Sequence, residues 1–323
     1  MPKIEQKNPM CTRRLVQISN TIFLATSTIA ALASQGAWAQ SASKETHPPQ
    51  AQITSQMLAK HAVLKDALAS NSYQRPLFLE SAESGDLVSG NAYAVLDAPF
   101  AAVSTAFRNA NTWCDVMILH INTKYCRATP GNNPAMLKVH IGKKTPQNLQ
   151  DAFPLEFVMR QVSTSANLLA IQLNAENGPV GTSNYRIELH AIALEDNKTF
   201  MHLRYAYEYG MAGKLAMQGY LATGGRGKVG FSTKTPATAT TRATYVGGAR
   251  GAVERNTMRY YLAIDAYLQA LPLPPAQQVS ARLDKWFDST EQYPHQLRET
   301  DKPSYLAMKK NEIQRQQVSA PTP

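Results

Sequence analysis

Apolar positions change their period along this chain, and each change marks a different kind of element. Ile53, Met57, Leu64 and Leu68 recur at helical spacing and predict an amphipathic helix over about 53–69, closed by the break N-S-Y-Q-R-P. From Pro76 to about Lys234 the period falls to two. P-L-F-L-E-S and L-V-S-G-N-A-Y-A-V-L-D read as strands around the turn E-S-G-D. A-M-L-K-V-H-I-G, F-P-L-E-F-V-M-R-Q-V, N-L-L-A-I-Q-L, N-Y-R-I-E-L-H-A-I-A-L and T-F-M-H-L-R-Y-A-Y-E-Y follow as further strands. Short turns join most of these strands, which predicts an antiparallel sheet. Between the second and third strands, Asp97 precedes A-P-F-A-A-V-S-T-A-F-R, with Phe100, Val103 and Phe107 on one face. That pattern predicts a helix capped by Asp97 with Pro99 in its first turn.

The last strand is the most regular. Met201, Leu203, Tyr205, Tyr207 and Tyr209 alternate onto one face, with His202, Arg204 and Glu208 on the other, which should be solvated. Residues 211–234 are glycine-rich and give no clear period. G-G-A-R-G at 247–251 then leads into a long helix ending at P-L-P-P, with Val253, Thr257, Tyr260, Tyr261, Ile264, Leu268 and Leu271 on one face. Val279, Leu283, Trp286 and Phe287 predict a second amphipathic helix. Residues 300–323 are charged, Gln-rich and end in proline, and are expected to be loosely held.

The N-terminus changes the chemical setting. Arg13 and Arg14 precede an apolar run, no charged residue occurs from Leu15 to Ser43, and Ala37-Trp38-Ala39 matches a small-residue cleavage site. This is the pattern of a secretory signal peptide cut after Ala39, of the kind that sends a bacterial chain to the periplasm. An uncleaved anchor is the alternative. The residues after the arginine pair match a twin-arginine signal poorly. Residues 40–52 read as a polar linker.

The chain carries 33 basic and 23 acidic residues, a net charge of +10. Removal of 1–39 takes Lys3, Lys7, Arg13, Arg14 and Glu5, leaving 284 residues and a net of +7. That charge is dispersed, which suits mild attraction to an anionic membrane surface and argues against nucleic acid as a partner.

Of the three cysteines, only Cys114 and Cys126 follow the cleavage site. In an oxidising compartment such a pair is expected to form a disulfide. A metal site would need three or four ligands, and neither His120 nor His140 completes a ligand spacing. A catalytic thiol would need a reduced, acidic cysteine. His120, His140, His190 and His202 lie in strand-like segments and are expected to be surface or hydrogen-bonded residues.

G-G-R-G-K-V-G at 224–230 lacks the spacing of a phosphate loop, and G-G-A-R-G reads as a flexible turn more readily than as an anion site. Arg250, Arg255 and Arg259 either pair with Glu254 or Asp265 or reach an anionic ligand head. No nucleophile elbow, zinc-protease helix, paired Cys-x-x-Cys or dinucleotide fingerprint occurs, so no metal and no cofactor is expected.

The run A-Y-A-V-L-D-A-P-F-A-A-V-S-T-A-F, with W-C soon after, and the closing helix G-A-V-E-R-N-T-M-R-Y-Y-L-A-I-D-A-Y-L together resemble the helix-grip superfamily. That superfamily includes START-type lipid-binding domains, polyketide cyclase-like proteins and pollen-allergen-like carriers. The resemblance covers about 85–271. It implies an α+β fold in which a curved antiparallel sheet wraps a long C-terminal helix around an apolar cavity, with extra helices at both ends.

The expected organisation is a signal peptide at 1–39, a linker at 40–52, an N-terminal helix at 53–75, the helix-grip domain at 76–271 and a helical extension with a loose tail at 272–323. The resemblance implies a non-catalytic carrier of a hydrophobic, lipid-like ligand, a cyclase- or hydrolase-like enzyme being the alternative. An envelope interaction protein using the terminal helices is the third reading. Trp113, Met201, Leu203, Tyr205, Tyr207, Tyr209, Tyr261, Ile264 and Leu268 are the candidate cavity lining. The tyrosines can equally form an aromatic core with satisfied hydroxyls. The cysteine pair gives a direct test: thiol labelling of unreduced protein lacking residues 1–39 is expected to modify neither Cys114 nor Cys126, and modification of both would refute the bridge.

Overall fold

The computed structural model describes residues 49–129, 134–223, 225–236 and 241–318. The leader, most of the linker and the last five residues of the chain lie outside these. In order, the elements are α1 (Gln50–Ala69), β1 (Leu77–Ser84), β2 (Leu87–Leu96), α2 (Phe100–Phe107), α3 (Ala110–Met117), β3 (Thr123–Thr129), β4 (Ala135–Ile141), β5 (Phe153–Thr164), β6 (Leu168–Asn177), β7 (Thr182–Ala193) and β8 (Thr199–Tyr209). Then come α4 (Met211–Ala222), the short strands β9 (Thr233–Thr235) and β10 (Thr244–Tyr245), α5 (Gly248–Ala270), α6 (Pro275–Glu291), α7 (Pro294–Leu297) and α8 (Lys302–Val318).

Eight strands form one antiparallel sheet in the order β1-β2-β8-β7-β6-β5-β4-β3. Register shifts at Thr123/Tyr125, Gln161/Ser163 and Ser183/Arg186 supply the local bends a wrapped sheet needs. α5 lies across the inner face against β1, β2 and β8, and α6 packs on its other side. This is the helix-grip arrangement expected from the sequence. The closeness of the grip has a residue-level cause: a Cβ placed on Gly90 of β2 would lie 2.3 Å from Thr257 Oγ1 of α5. Only glycine lets the helix sit this near the strand.

The helix predicted after Asp97 is two helices. Asp97 does not cap the first; Pro99 holds that position with no side-chain cap bond. Asn109 caps the second by accepting from Asn111 N–H at 2.9 Å. Trp113 therefore sits on a helix, and His120 in the turn after it rather than in a strand. Cys114 of α3 and Cys126 of β3 are disulfide-bonded across 12 residues, tying that helix to the last strand of the sheet.

Two expectations about the periphery are corrected. The outer face of the sheet is not simply solvated. α1 covers part of it, seating Ile53, Met57, Leu64 and Leu68 on Leu168, Ala170, Ile192 and Phe200 in a second apolar cluster. Beneath α1, His202 stacks on Tyr93 with centroids 4.3 Å apart and bonds Asn91 Oδ1 through Nε2 at 2.9 Å. The segment after residue 300 is not loose up to Val318. α8 buries Tyr305, Lys309 and Glu312 against β3 and the turn before it. There Glu312 receives Lys124 Nζ at 3.1 Å and Lys309 Nζ at 2.8 Å, and Gln316 Oε1 accepts Cys126 N–H at 2.7 Å. Both lysines also donate to carbonyls, Lys124 to Ile121 and Thr145 and Lys309 to His120 and Thr123, so the charges are solvated by protein in place of water. Composition alone reads such a segment as solvent-loving because it cannot show that lysine ammoniums find internal partners.

Two outcomes follow from these coverings. Glu312→Gln leaves two buried lysines without their counter-charge and should lower unfolding free energy in urea by about 3–5 kcal/mol. Burial under α1, with His190, Arg204 and Lys60 adding to it, holds His202 down at about 3. An unfolded histidine titrates near 6.5, so the unfolded chain binds the proton first. Stability should be full above pH 6.5 and fall as pH drops from there toward about 3. His202→Gln should flatten that acid arm of a pH series of denaturant melts by up to about 1.4 kcal/mol per pH unit.

Candidate functional site

Between the inner sheet face and α5 lie two adjoining chambers. The outer one, about 350 Å³, is bounded by the Pro179-Val180 turn, by Gly213, Ala216 and Met217 of α4, and by Ala252, Arg255, Asn256 and Arg259 of α5. Tyr185, Tyr205 and Tyr207 form its sheet wall, and Asn122 and Lys144 complete it together with Thr182. The inner chamber, about 180 Å³, is more enclosed. His120, Ile141, Leu155, Phe157 and Tyr260 line it, and Asn122, Pro179, Tyr185, Tyr205 and Asn256 are shared with the outer one.

Alternation on β7 and β8 explains the aromatic wall. Tyr185, Tyr205 and Tyr207 all point inward and pack on one another, with Tyr185 and Tyr207 stacked at 5.3 Å. Tyr205 also meets Tyr260 of α5 at 5.4 Å. Burial pushes the phenols of Tyr185, Tyr205, Tyr207 and Tyr260 up, so they stay neutral donors and acceptors at physiological pH.

The basic side chains at the rim are held in place by protein groups. Arg259 Nη2 and Lys144 Nζ both reach Glu299 Oε1, at 2.8 and 2.7 Å, and Lys228 Nζ reaches Oε2 at 3.3 Å. Burial acts against charge on Glu299, but Arg259, Lys144 and Lys228 outweigh it and hold its carboxyl below the usual range. Arg255 donates to the Val229 carbonyl at 3.1 Å. Glu254, fully buried on the same helix, accepts from Ser81 Oγ and from the Phe231 and Ser232 N–H groups, and so pins the loop before β9 to α5. Gly251 in G-G-A-R-G belongs to this closure: a Cβ there would meet the Val246 carbonyl at 2.9 Å. Asp265 pairs with Arg75 at 2.8 Å and Arg250 bonds Ser81, so Glu254 and Asp265 are not the arginines' partners on their own helix.

His120 is the polar group of greatest chemical interest. It is 4% exposed and lines the inner chamber. Its Nδ1 accepts Asn122 N–H at 3.2 Å, and the Asn256 side chain lies within reach of the ring. Its carbonyl is fixed by Lys309 Nζ at 2.7 Å, so α8 helps to position it. Burial, then Arg259 and Lys309, hold its pKa well below 6.5 and keep the ring neutral, while Asn256 acts in the opposite sense and Lys144 adds a smaller push downward. The Asn256 side chain reaches both this ring and the Tyr205 hydroxyl as a hydrogen-bonding group and so links them.

Of the expected lining, Tyr205 and Tyr207 face the chambers. Trp113, Met201, Leu203, Tyr209, Tyr261, Ile264 and Leu268 belong to the same core cluster but line neither of these two chambers. Trp113 donates Nε1–H to the Phe107 carbonyl at 3.0 Å and stands edge-on to that ring. Tyr209 bonds Glu83 at the far end of its strand, and Tyr261 sits by Arg75 and Asp265. Tyr185, Tyr260, Asn256 and His120 were not among the expected residues. Alternation along N-Y-R-I-E-L could have flagged Tyr185, since Ile187 and Leu189 share its face. His120 and Asn256 carry no local signal. Among the described residues no group of three or more His, Cys, Asp or Glu could hold a metal, and no helix is long and apolar enough to cross a membrane.

Strand order and the seat of α5 define a helix-grip protein. No family model matches the chain, and no curated protein matches it. Among solved structures it is similar to a norcoclaurine synthase from Thalictrum flavum, with 13% identity and a TM-score of 0.31 over 45% of this chain and 89% of that one. It is also similar to the protein Ara h 8.0201, with 9% identity and a TM-score of 0.33 over 57% and 99%. Human StAR-related lipid transfer protein 5 gives 6% and 0.30 over 54% and 91%. Similarity at this level says nothing of what this chain binds, and the fold assignment rests on its own topology.

Proposed function

We propose that this chain is an exported carrier that holds a small hydrophobic molecule between its sheet and α5. The observation that carries the reading is the pair of adjoining chambers walled by Tyr185, Tyr205, Tyr207, Tyr260 and Phe157. A well-formed concavity with mostly apolar walls and a few polar groups is the usual form of a ligand site. The leader pattern ending at Ala39 and the Cys114–Cys126 disulfide support export to an oxidising compartment such as the periplasm.

The outer chamber's rim supports collection of that ligand from a lipid surface. Val180 at the rim and Met211 and Leu215 on α4 expose 68%, 82% and 64% of their surface, and Lys214 of the same helix pairs with Asp86 at 2.6 Å. Exposed apolar side chains next to a ligand chamber suit contact with a lipid surface.

The cyclase- or hydrolase-like reading draws on one observation, the neutral His120 facing the inner chamber. Against it, no carboxylate lines either chamber among the described residues, so the histidine has no partner to cycle a proton with. The interaction-protein reading loses its basis in the apolar faces of α1 and α6, because Ile53, Met57, Leu283, Trp286 and Phe287 are spent on internal packing.

Protein recovered from a periplasmic fraction should begin at Gln40 and carry a small hydrophobic molecule in native mass spectrometry. Ala252→Phe, which grows into the outer chamber from α5, should reduce that occupancy about tenfold with little change in melting temperature. An unligated wild type that also binds no hydrophobic probe would refute the carrier reading.

A further inference from the structure

The polar side chains that α8 turns inward all bind one stretch of chain, the segment closed by the disulfide. Tyr305 donates its hydroxyl to the Leu119 carbonyl at 2.9 Å, and Lys309 Nζ donates to the His120 and Thr123 carbonyls, each at 2.7 Å. Glu312 receives Lys124 Nζ at 3.1 Å, and Gln316 Oε1 accepts Cys126 N–H at 2.7 Å. Every one of these partners lies within Cys114–Cys126.

Such docking tolerates little looseness. Lys124 and Lys309 are 0% exposed and Glu312 is 1% exposed. An ammonium without water needs its carbonyl and carboxylate partners in place, and losing one costs far more than losing a surface contact. Those partners sit on and beside β3, which pairs with a neighbour on one side only, β4. The disulfide is the strand's covalent tether to α3. Cutting it enlarges the freedom of the opened segment and so favours opening. With α8 docked, Cys114 and Cys126 are 5% and 2% exposed, so a reductant reaches the bond only once this unit opens.

We propose that the Cys114–Cys126 bond is a redox switch for α8: the helix docks when the pair is oxidised and is released when it is reduced. Oxidation joins the two Sγ atoms and passes two electrons and two protons to a disulfide-bearing oxidant, which leaves as a dithiol. His120 and Asn122 lie inside the bridged segment and line the chambers, so the same step sets that wall. A chain that still carries thiols keeps the wall unfinished until it meets an oxidising compartment. The switch operates whatever the chambers hold.

The test is hydrogen exchange on mature protein, wild type against Cys114→Ser/Cys126→Ser. Protection of the α8 amides should fall about a hundredfold, the loop-closure entropy of a bridge of this span written as an equilibrium constant, while β6 and β7 keep theirs. Linkage supplies a second measurement, because whatever weakens docking must ease reduction by the same factor. Gln316→Ala removes one hydrogen bond to Cys126 and should lower about fivefold the ratio of reduced to oxidised dithiothreitol at which half the bond is open. This second measurement decides the matter alone should the double variant fail to fold.

An α8 as well protected in a folded double variant as in wild type overturns the proposal. So does an unchanged midpoint ratio in Gln316→Ala.

Discussion

The charged groups buried on α5 must find their partners inside the protein, and much of the structure is arranged around that requirement. The helix has 23 residues and 17 of them are buried, Glu254, Arg255 and Arg259 included, so these charges cannot be discharged into water. Glu254 is met by backbone donors from the loop before β9, Arg255 by the Val229 carbonyl, and Arg259 by the Leu297 carbonyl and Glu299. Each of these contacts recruits a segment distant in sequence. The loop, α7 and the approach to α8 are held in place because an unmatched buried charge would cost several kcal/mol. The grip of the sheet on α5 is thus apolar along most of its length, and at the N-terminal half it is polar and specific. The chambers lie in that polar half.

The terminal helices complete the site rather than decorate it. α8 lies against β3, the last strand of the sheet, and so covers an edge that would otherwise present unpaired backbone groups. The same helix supplies Lys309, whose bond to the His120 carbonyl fixes the turn that aims the imidazole. Its ammonium is lowered to about 8, chiefly by burial and against the pull of Glu312, which shows how fully this helix is enclosed. At the opposite side of the sheet, α1 converts an amphipathic strand face into a second core, and His202 on that face is left only partly exposed.

Much of the frame was legible in the sequence, and particular elements show why. The two-residue alternation of Met201 to Tyr209 placed that strand's inner face correctly, because period alone decides which side chains share a face. The helical spacing around Tyr260 and Tyr261 located α5 for the same reason. Pattern could not say how far along the inner face the packing stays dense. Met201, Leu203, Tyr205 and Tyr207 all belong to the core and obey one alternation, yet only Tyr205 and Tyr207 of these line the two chambers. Nor could it reveal that His202, on the side expected to be wet, lies beneath a helix more than a hundred residues earlier in the chain. The reading of residues after 300 as loose failed on a similar point. Charge and glutamine content describe a segment's affinity for water, and not whether a lysine pair and a glutamate will satisfy one another indoors.

The sequence by itself determined the antiparallel alternating strands, the long helix that must cover them, and the cysteine pair that bridges α3 to β3. These are local or compositional facts, set by periodicity and by which residues are present. Only the tertiary structure decided that His120, Asn122, Tyr185, Tyr205, Asn256 and Tyr260 meet around one chamber. Those residues come from the turn after α3, from β7 and β8, and from α5. Their meeting depends on strand order and on the depth at which the helix sits, which a glycine at position 90 permits but does not announce. The setting of the buried His120 ring depends in turn on the Asn122 N–H two residues away and on Asn256 of α5, which come together only once the turn and the helix are in place.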